Sequence, residues 1–318
     1  MNTAEIKTKT AVLLIGFGGP TNLEQVRPFL NSVLSHGASI PSERFLEVLK
    51  HYELVNGVSP YNTSTYKQRD ALQKWLKEQG SDVQVGVGFK HSSPSFKDVF
   101  EKLKKSEIKR VVGFVLSSFR SHSSFEKYVE RLEEGQKGAG ASGIQTIYTG
   151  PFYEHPLFVE AQADRVQDMM IGADVDISKT LVVFTAHSIP LEQSEKSGYA
   201  KQFEHCASLV AGKLKLPNWA VAYQSRSGDP EEPWLGPDIR RVAFRITAKL
   251  VPNLLLVPIG FLCDNVEILH DLDVEVKDVC QFLCVRYLRT EAVNDHPKFI
   301  EMMGRQVLEK LDSGTAVG

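Results

Sequence analysis

Thr180-Leu181-Val182-Val183-Phe184-Thr185-Ala186-His187-Ser188-Ile189-Pro190 is the stretch from which the fold of this chain can be read. Its opening run, Thr180–Thr185, is short, apolar and rich in β-branched side chains, the pattern of a strand buried on both faces. Pro190 cannot donate to a sheet and suits the first turn of a helix, so a helix should follow after a short loop. His187 is therefore expected just past the carboxyl end of a strand, where open α/β sheets bind their ligands.

A second stretch has the same plan. An apolar run from Leu254 leads into Cys263-Asp264-Asn265-Val266-Glu267, with Asp271 and Glu275 each four residues further on. On a helix that spacing puts three carboxylates in one stripe. Stacked like charges repel, so a purely structural helix gains nothing from them. Alone, a histidine at a strand end is more often structural, and an acidic face is more often merely solvated. At equivalent positions of one sheet, an imidazole and carboxylates suit a divalent cation or the removal of a proton.

Working outward, strands are expected over Ala11–Gly16, Val83–Phe89, Arg110–Ser117, Ile144–Thr149, Thr180–Thr185, Trp219–Gln224, Leu254–Phe261 and Cys284–Leu288. Helical periodicity fills the intervals: Leu23–Leu34, Glu43–Tyr52, Thr65–Glu78, Ser95–Lys105, Ser123–Gly135, Leu157–Met170, Ala200–Leu214, Pro237–Lys249, Asn265–Lys277 and Pro297–Leu311. Alternation of this kind argues for parallel sheets covered on both faces. Gly150-Pro151 is a turn signal that splits the strands evenly, giving lobes over residues 10–150 and 151–318, with the last helix packing back on the first lobe. The fold class is α/β: two similar Rossmann-like lobes, each a four-stranded parallel sheet flanked by helices, facing a shared cleft. Asp312–Gly318 reads as a frayed tail.

Composition narrows the function. The chain has 318 residues, 42% of them hydrophobic, and a formal net charge of −2. That is enough apolar matter for two cores, and it carries no basic cluster with interleaved aromatics to hold a nucleic acid. No stretch approaches the ~18–20 apolar residues of a transmembrane segment, so a cytoplasmic protein is expected, with room for a peripheral membrane contact. Cys206, Cys263, Cys280 and Cys284 form no Cys-x-x-Cys pair and read as buried free thiols.

Two loops stand out. Gly16-Phe17-Gly18-Gly19-Pro20 follows a strand and precedes a helix but does not satisfy G-x-G-x-x-G. It is either a tight turn or a glycine turn that lets a flat ligand approach the backbone, with Phe17 against its face. Gln224 to Asp238 contains three prolines and Trp234. It reads as a rigid loop anchored by Trp234, or as a cleft wall from which Ser225 and Arg226 reach ligand carboxylates.

Together these residues resemble a family. Thr185-Ala186-His187-Ser188-Ile189-Pro190 is similar to the SAH-S/G-LP signature of the ferrochelatases. Gln224-Ser225, with Pro233-Trp234-Leu235-Gly236-Pro237, resembles their QS…PWLGP loop. Gly260-Phe261, Asp264, Glu267 and Asp271 resemble their GF…D-H-x-E segment, and Gly18-Gly19-Pro20 and Gly57-Val58-Ser59-Pro60 also fit. The resemblance implies two Rossmann-like domains around a tetrapyrrole cleft, and insertion of Fe²⁺ into a porphyrin, in haem biosynthesis, with loss of two pyrrole protons. It implies His187 and Glu267 as the catalytic pair and His187, Glu267, Asp271 and Glu275 as metal ligands or an acidic path. The helix that carries the carboxylates has a local π-type widening in the family. For the porphyrin, Phe17, Gly18, Arg27, Arg120, Ser121, Ser123, Ser225 and Trp234 are the candidate contacts.

The chain departs from the pattern in places. Asn265 stands where a histidine is usual, His122 where an aromatic is common, and a Gly-Asp-Pro-Tyr segment is reduced to Gly198-Tyr199. No cysteine-bearing extension follows the last helix, so no [2Fe–2S] cluster and no tightly bound cofactor is expected; Fe²⁺ and porphyrin are substrates, and the chain is expected to act as a monomer. Phe17 takes the position of a methionine or tyrosine associated with protoporphyrin IX or coproporphyrin III, and the long 225–234 loop favours the second substrate. The alternatives are a cobalt or nickel chelatase of another tetrapyrrole and a non-catalytic haem- or porphyrin-binding homologue.

Overall fold

The computed structural model describes residues 9–34, 42–55, 57–227, 231–246 and 251–313. Contacts divide the chain into two compact units, the first holding residues up to Ser117, Ser123–Pro151 and the chain from Asp295, the second Ser118–His122 and Phe152–Asn294.

The first unit is built on β1 (Thr10–Gly16), followed by α1 (Leu23–Leu34), α2 (Ser42–Leu54) and α3 (Tyr61–Glu78). Then come β2 (Gln84–Phe89), α4 (Phe96–Lys105), β3 (Arg110–Val115), a π-helical turn at His122–Glu126, α5 (Lys127–Gly138) and β4 (Gln145–Tyr148). All pairings are parallel, in the order β2-β1-β3-β4. Every residue of β1 and β3 is buried, whereas the edge strand β4 is short and only half-buried. That gradient is what helices on both faces produce, and it is why the central strands read as unbroken apolar runs. On one face Leu13, Ile15, Val111 and Val115 pack with Phe96, Phe100, Tyr128 and Leu132 from α4 and α5. α4 starts cleanly because Ser95 and Asp98 form a reciprocal capping box, a feature contributing about 1 kcal/mol. The C-terminal helix Pro297–Ser313 packs against α3 and β3 in this unit. Buried Arg110, at the start of β3, donates to the Lys310 carbonyl at 2.5 Å and so satisfies an orphan acceptor in that helix's last turn.

The second unit repeats the plan. α6 (Pro156–Gly172) leads to β5 (Thr180–His187), α7 (Leu191–Ser197), α8 (Tyr199–Leu214), β6 (Trp219–Gln224) and α9 (Ile239–Ile246). β7 (Asn253–Val257), α10 (Val266–His270), a π-helical segment Asp271–Val276, α11 (Lys277–Phe282) and β8 (Arg286–Arg289) follow. The sheet is again parallel, in the order β6-β5-β7-β8. Val183, Leu254 and Leu256 pack under Ile239, Ala243, Ile268, Leu272 and Val276 on one face.

Several boundaries differ from the sequence reading. β5 runs two residues further, so His187 closes the strand, in register with Gln224, rather than lying past it. β7 stops at Val257, because Pro258 has no N–H to continue the ladder. The helix expected from Ser123 opens as a π turn, and the one expected over Asn265–Lys277 is α, then π, then α again. The helix expected after Pro190 is the short α7; Gly198, at φ +70°, separates it from α8. Cys284 is exposed, a correction to the expectation that it is a buried thiol: it sits past the end of α11, at φ +55°. The end of the helix expected to Lys249 and the tail beyond Ser313 lie outside the described residues. No described helix is long and apolar enough to cross a membrane.

Candidate active site

In each sheet two neighbouring central strands send their connections in opposite directions: β1 toward β2 and β3 toward β4, β5 toward β6 and β7 toward β8. Ligands bind at the carboxyl ends of such strands. In the second unit His187 closes β5, and the loop after β7 leads to Glu267. His187 Nε2 and Glu267 Oε1 are 3.6 Å apart, with the imidazole 30% and the carboxylate 50% exposed. His187 Nδ1 lies 2.5 Å from the Ser188 carbonyl oxygen, which can only accept, so Nδ1 carries the hydrogen and Nε2 is the working nitrogen. Tyr199 Oη donates to the His187 carbonyl at 3.0 Å and holds the backbone. Burial opposes the imidazolium, but the Glu267 charge and contact, the Ser188 carbonyl and the charge of Asp271 outweigh it and raise His187 to about 8.

The four expected metal ligands do not form one group. Asp271 and Glu275 join His270 instead, with ligand atoms of all three within 4.8 Å of one another. His270 Nδ1 and Asp271 Oδ1 are 3.1 Å apart, and that contact raises the His270 pKa. Burial raises the Glu275 carboxyl, opposed by the Arg240 guanidinium 3.4 Å away. The π-helical widening produces this grouping. On an α-helix positions five apart diverge, but the wider turn brings His270 to the side of Glu275. Sequence spacing gave no reason to single out His270.

Glu267 is aimed by a scaffold also missed in sequence. Asn265 caps α10, its side chain accepting from Ile268 N at 3.1 Å, so the residue standing in for the family's usual histidine starts the helix that carries Glu267. Arg289 on β8 binds Asp273 through two nitrogens, at 2.7 and 2.8 Å, and Asp264 at 2.8 Å. Asp264 also accepts from Asn294 Nδ2 at 3.0 Å. Of the carboxylates between residues 264 and 275, Asp264 and Asp273 are thus structural, while Glu267, Asp271 and Glu275 face the other partners.

The expected porphyrin contacts are spread over both units. Ser225, at φ +59°, donates from Oγ to Asp271. Arg226 donates to the Glu232 carbonyl at 3.0 Å. Trp234 is half-buried, its backbone bridges Pro190, and its indole N–H has no partner among the described residues. Ser121 is buried and Arg120 exposed, with the Arg120 N–H donating to Gln202 Oε1 at 2.9 Å. Phe119 beside them packs on Tyr199, with ring centroids 5.8 Å apart, and so on the residue that holds His187. Ser123 is exposed in the π turn.

In the first unit the glycine turn is locked by its own chain. Phe17 N donates to Tyr61 Oη at 3.0 Å, and Gly19 exchanges hydrogen bonds with the Asn62 amide at 2.9 Å. Gly18 has φ +89°, and a Cβ there would stand 2.3 Å from Ser92 Oγ. Its own neighbours therefore account for the need for glycine. Phe17 is half-buried, its ring 4.6 Å from His91 and 6.1 Å from Phe29. Arg27 is exposed on α1 with its guanidinium 5.3 Å over Phe45.

Comparison with known proteins finds relatives along nearly the whole chain. The family model described as Ferrochelatase matches residues 9–311. A ferrochelatase of Rhodopirellula baltica is 36% identical over 97% of this chain and 88% of its own length. A coproporphyrin III ferrochelatase of Mycobacterium ulcerans is 34% identical over 96% and 87%, and one of Mycolicibacterium vanbaalenii 32% over 92% and 87%. Among solved structures, the sirohydrochlorin chelatase of Bacillus subtilis subspecies spizizenii, in complex with cobalt, superposes with a TM-score of 0.58 at 12% identity, covering 96% of each chain. That last likeness establishes the two-sheet fold alone.

Proposed function

The chain belongs to the ferrochelatase family, and from that premise we propose that His187 and Glu267 together accept the pyrrole protons and receive the iron. The enzyme inserts Fe²⁺ into a porphyrin in haem biosynthesis. The ring must lose two N–H protons as the metal enters, so a base is needed at the face where iron arrives. Neutral His187 takes one proton on Nε2, becoming the imidazolium that Glu267 stabilises at 3.6 Å, and passes it to the Glu267 carboxylate before taking the second. The Ser188 carbonyl fixes the tautomer throughout. Carboxylate oxygens replace part of the iron's hydration shell and lower the cost of stripping it. His270, Asp271 and Glu275 lie on the same stretch of helix and hand iron to Glu267 or carry the released protons away from it, with Arg240 balancing their charge until a cation arrives.

The observation that carries this reading is the His187–Glu267 pair, one residue closing β5 and the other on the helix that follows β7. The substrate is coproporphyrin III, working in the cytoplasm without a resident cluster. Its four carboxylates suit the exposed basic side chains of the second unit, Arg120 and Arg226, and several relatives carry that substrate in their names. Coproporphyrin III and protoporphyrin IX competing for Fe²⁺ without oxygen test this. The expected result is a higher kcat/KM for coproporphyrin III; a preference for protoporphyrin IX would overturn the substrate assignment, and formation of neither metalloporphyrin would overturn the mechanism.

A further inference from the structure

Gln224 closes β6 in register with His187 at the end of β5, and Thr185 lies opposite Ala222 two positions earlier. Partners in a parallel sheet point to one face, and so do residues two apart. Thr185, His187, Ala222 and Gln224 therefore share the face on which Val183 and Ala222 pack under Ile239, Ala243, Ile268 and Leu272. Toward the carboxyl edge that face turns from apolar to polar. Gln224 is 2% exposed and Thr185 fully buried. Among the described residues, the Gln224 amide oxygen and nitrogen and the Thr185 hydroxyl have no hydrogen-bond partner. The backbone around them is engaged: Ser188 N–H donates to the Gln224 carbonyl at 2.8 Å, and Gly260 N–H to the Thr185 carbonyl at 3.0 Å.

An amide sealed inside the fold forfeits the hydration of both its ends. Turning it over exchanges oxygen for nitrogen and satisfies neither. Methionine has nearly the same length and would fill the space without that cost. The three atoms also select their ligand. A cation would leave the amide nitrogen unmet, and an anion the amide oxygen. A water molecule donates and accepts at once, and an internal water is held by about two to four polar partners.

We propose that Gln224 and Thr185 bind an internal water between β5 and β6, on the face that carries His187, and that Gln224 is a positioning residue for that imidazole. The second half rests on the reading of His187 as the base. The Ser188 carbonyl that fixes the His187 tautomer belongs to a residue whose own N–H is held by Gln224. With its side chain tied through water to Thr185, the end of β6 keeps Ser188, and so His187 Nδ1, in one place.

Gln224→Met and Thr185→Val remove the polar atoms at nearly constant volume, and together they form a double-mutant cycle read by urea unfolding. Each single variant should lower the midpoint by about 0.5 M, because the water and the remaining group lose a partner. The double variant should fall no further than the worse single, since neither side chain then has a polar atom to satisfy. Midpoints that rise in both singles and add in the double would overturn the site. A high-resolution crystal structure should place a water within hydrogen-bonding distance of both side chains; a direct Gln224–Thr185 hydrogen bond in its place would also overturn it. In anaerobic iron insertion, Gln224→Met should lower kcat about three- to tenfold with the porphyrin KM within about twofold. Gln224→Asn, which keeps the amide, should recover most of that loss. Coupled unfolding with unchanged kcat, or an equal loss in the Asn and Met variants, would overturn the positioning role. If wild type formed no metalloporphyrin, the proposed function would fail instead, while the unfolding cycle and the crystal structure would still decide the water site.

Discussion

The carboxyl ends of β1 and β5 hold the same place in two sheets of the same strand order, and each runs into a loop that ends in proline. They solve different problems. After β1 the chain is glycine-rich, without a titratable group from Gly16 to Pro20, and is clamped by Tyr61, Asn62 and Ser92. After β5 it presents an imidazole whose tautomer is fixed by Ser188 and whose charge is set by Glu267. One end is a fixed surface and the other carries a pair of titratable groups. The strand order positions both but does not decide which end does which; that follows from glycine at one and histidine at the other.

Substitutions at each end should separate the two roles. The largest effect on turnover belongs to His187→Ala, which should lower kcat for iron insertion by about 10²–10⁴-fold while porphyrin affinity stays within about tenfold, read by fluorescence quenching. Next comes the scaffold of the chemical end. Arg289→Ala leaves Asp264 and Asp273 without their guanidinium and should cost ~3–5 kcal/mol in urea unfolding, since all three side chains are less than a third exposed. The smallest is Gly18→Ala at the surface end. It should cost ~1–3 kcal/mol of stability from the φ of +89° and the clash with Ser92, with the pH dependence of turnover unchanged. A Gly18→Ala enzyme that kept its stability but lost its pH dependence would erase the contrast between the ends.

Much of this was legible in the sequence, for physical reasons. Central strands buried on both faces leave continuous apolar runs, so all eight strands and their division into two sheets could be read. His187 and Glu267 stood out because a strand end followed by proline, and carboxylates spaced by four, are both local patterns. What failed was what depends on helix pitch or on distant partners. His270 is Asp271's neighbour in sequence and reaches Glu275 only because the segment is π-helical. Asp273 looks like one more acidic residue until Arg289, sixteen positions away, is folded against it. Nothing local shows that Ser225 donates to Asp271, or that Arg226 donates to the Glu232 carbonyl. Asn265 looked like a lost titratable group, yet its position before Val266 is that of a helix cap.

The pH dependence of kcat/KM for anaerobic Fe²⁺ insertion, compared between wild type and Glu267→Gln, tests the central claim most directly. In the proposed mechanism neutral His187 is the base, and its pKa is held up at about 8 against burial mainly by Glu267. Wild-type activity should therefore rise with pH to an inflection near 8. The same sign governs stability: the imidazolium contribution is complete below the ordinary histidine value of about 6.5 and is lost as pH rises through about 8. Glu267→Gln leaves burial to favour the neutral ring, so the inflection should fall by about one unit or more, with a plateau kcat reduced further than in Asp271→Asn or Glu275→Gln. An inflection that stays near 8 in Glu267→Gln, with all three variants equally active, would contradict the pairing of His187 with Glu267 as the proton-accepting unit.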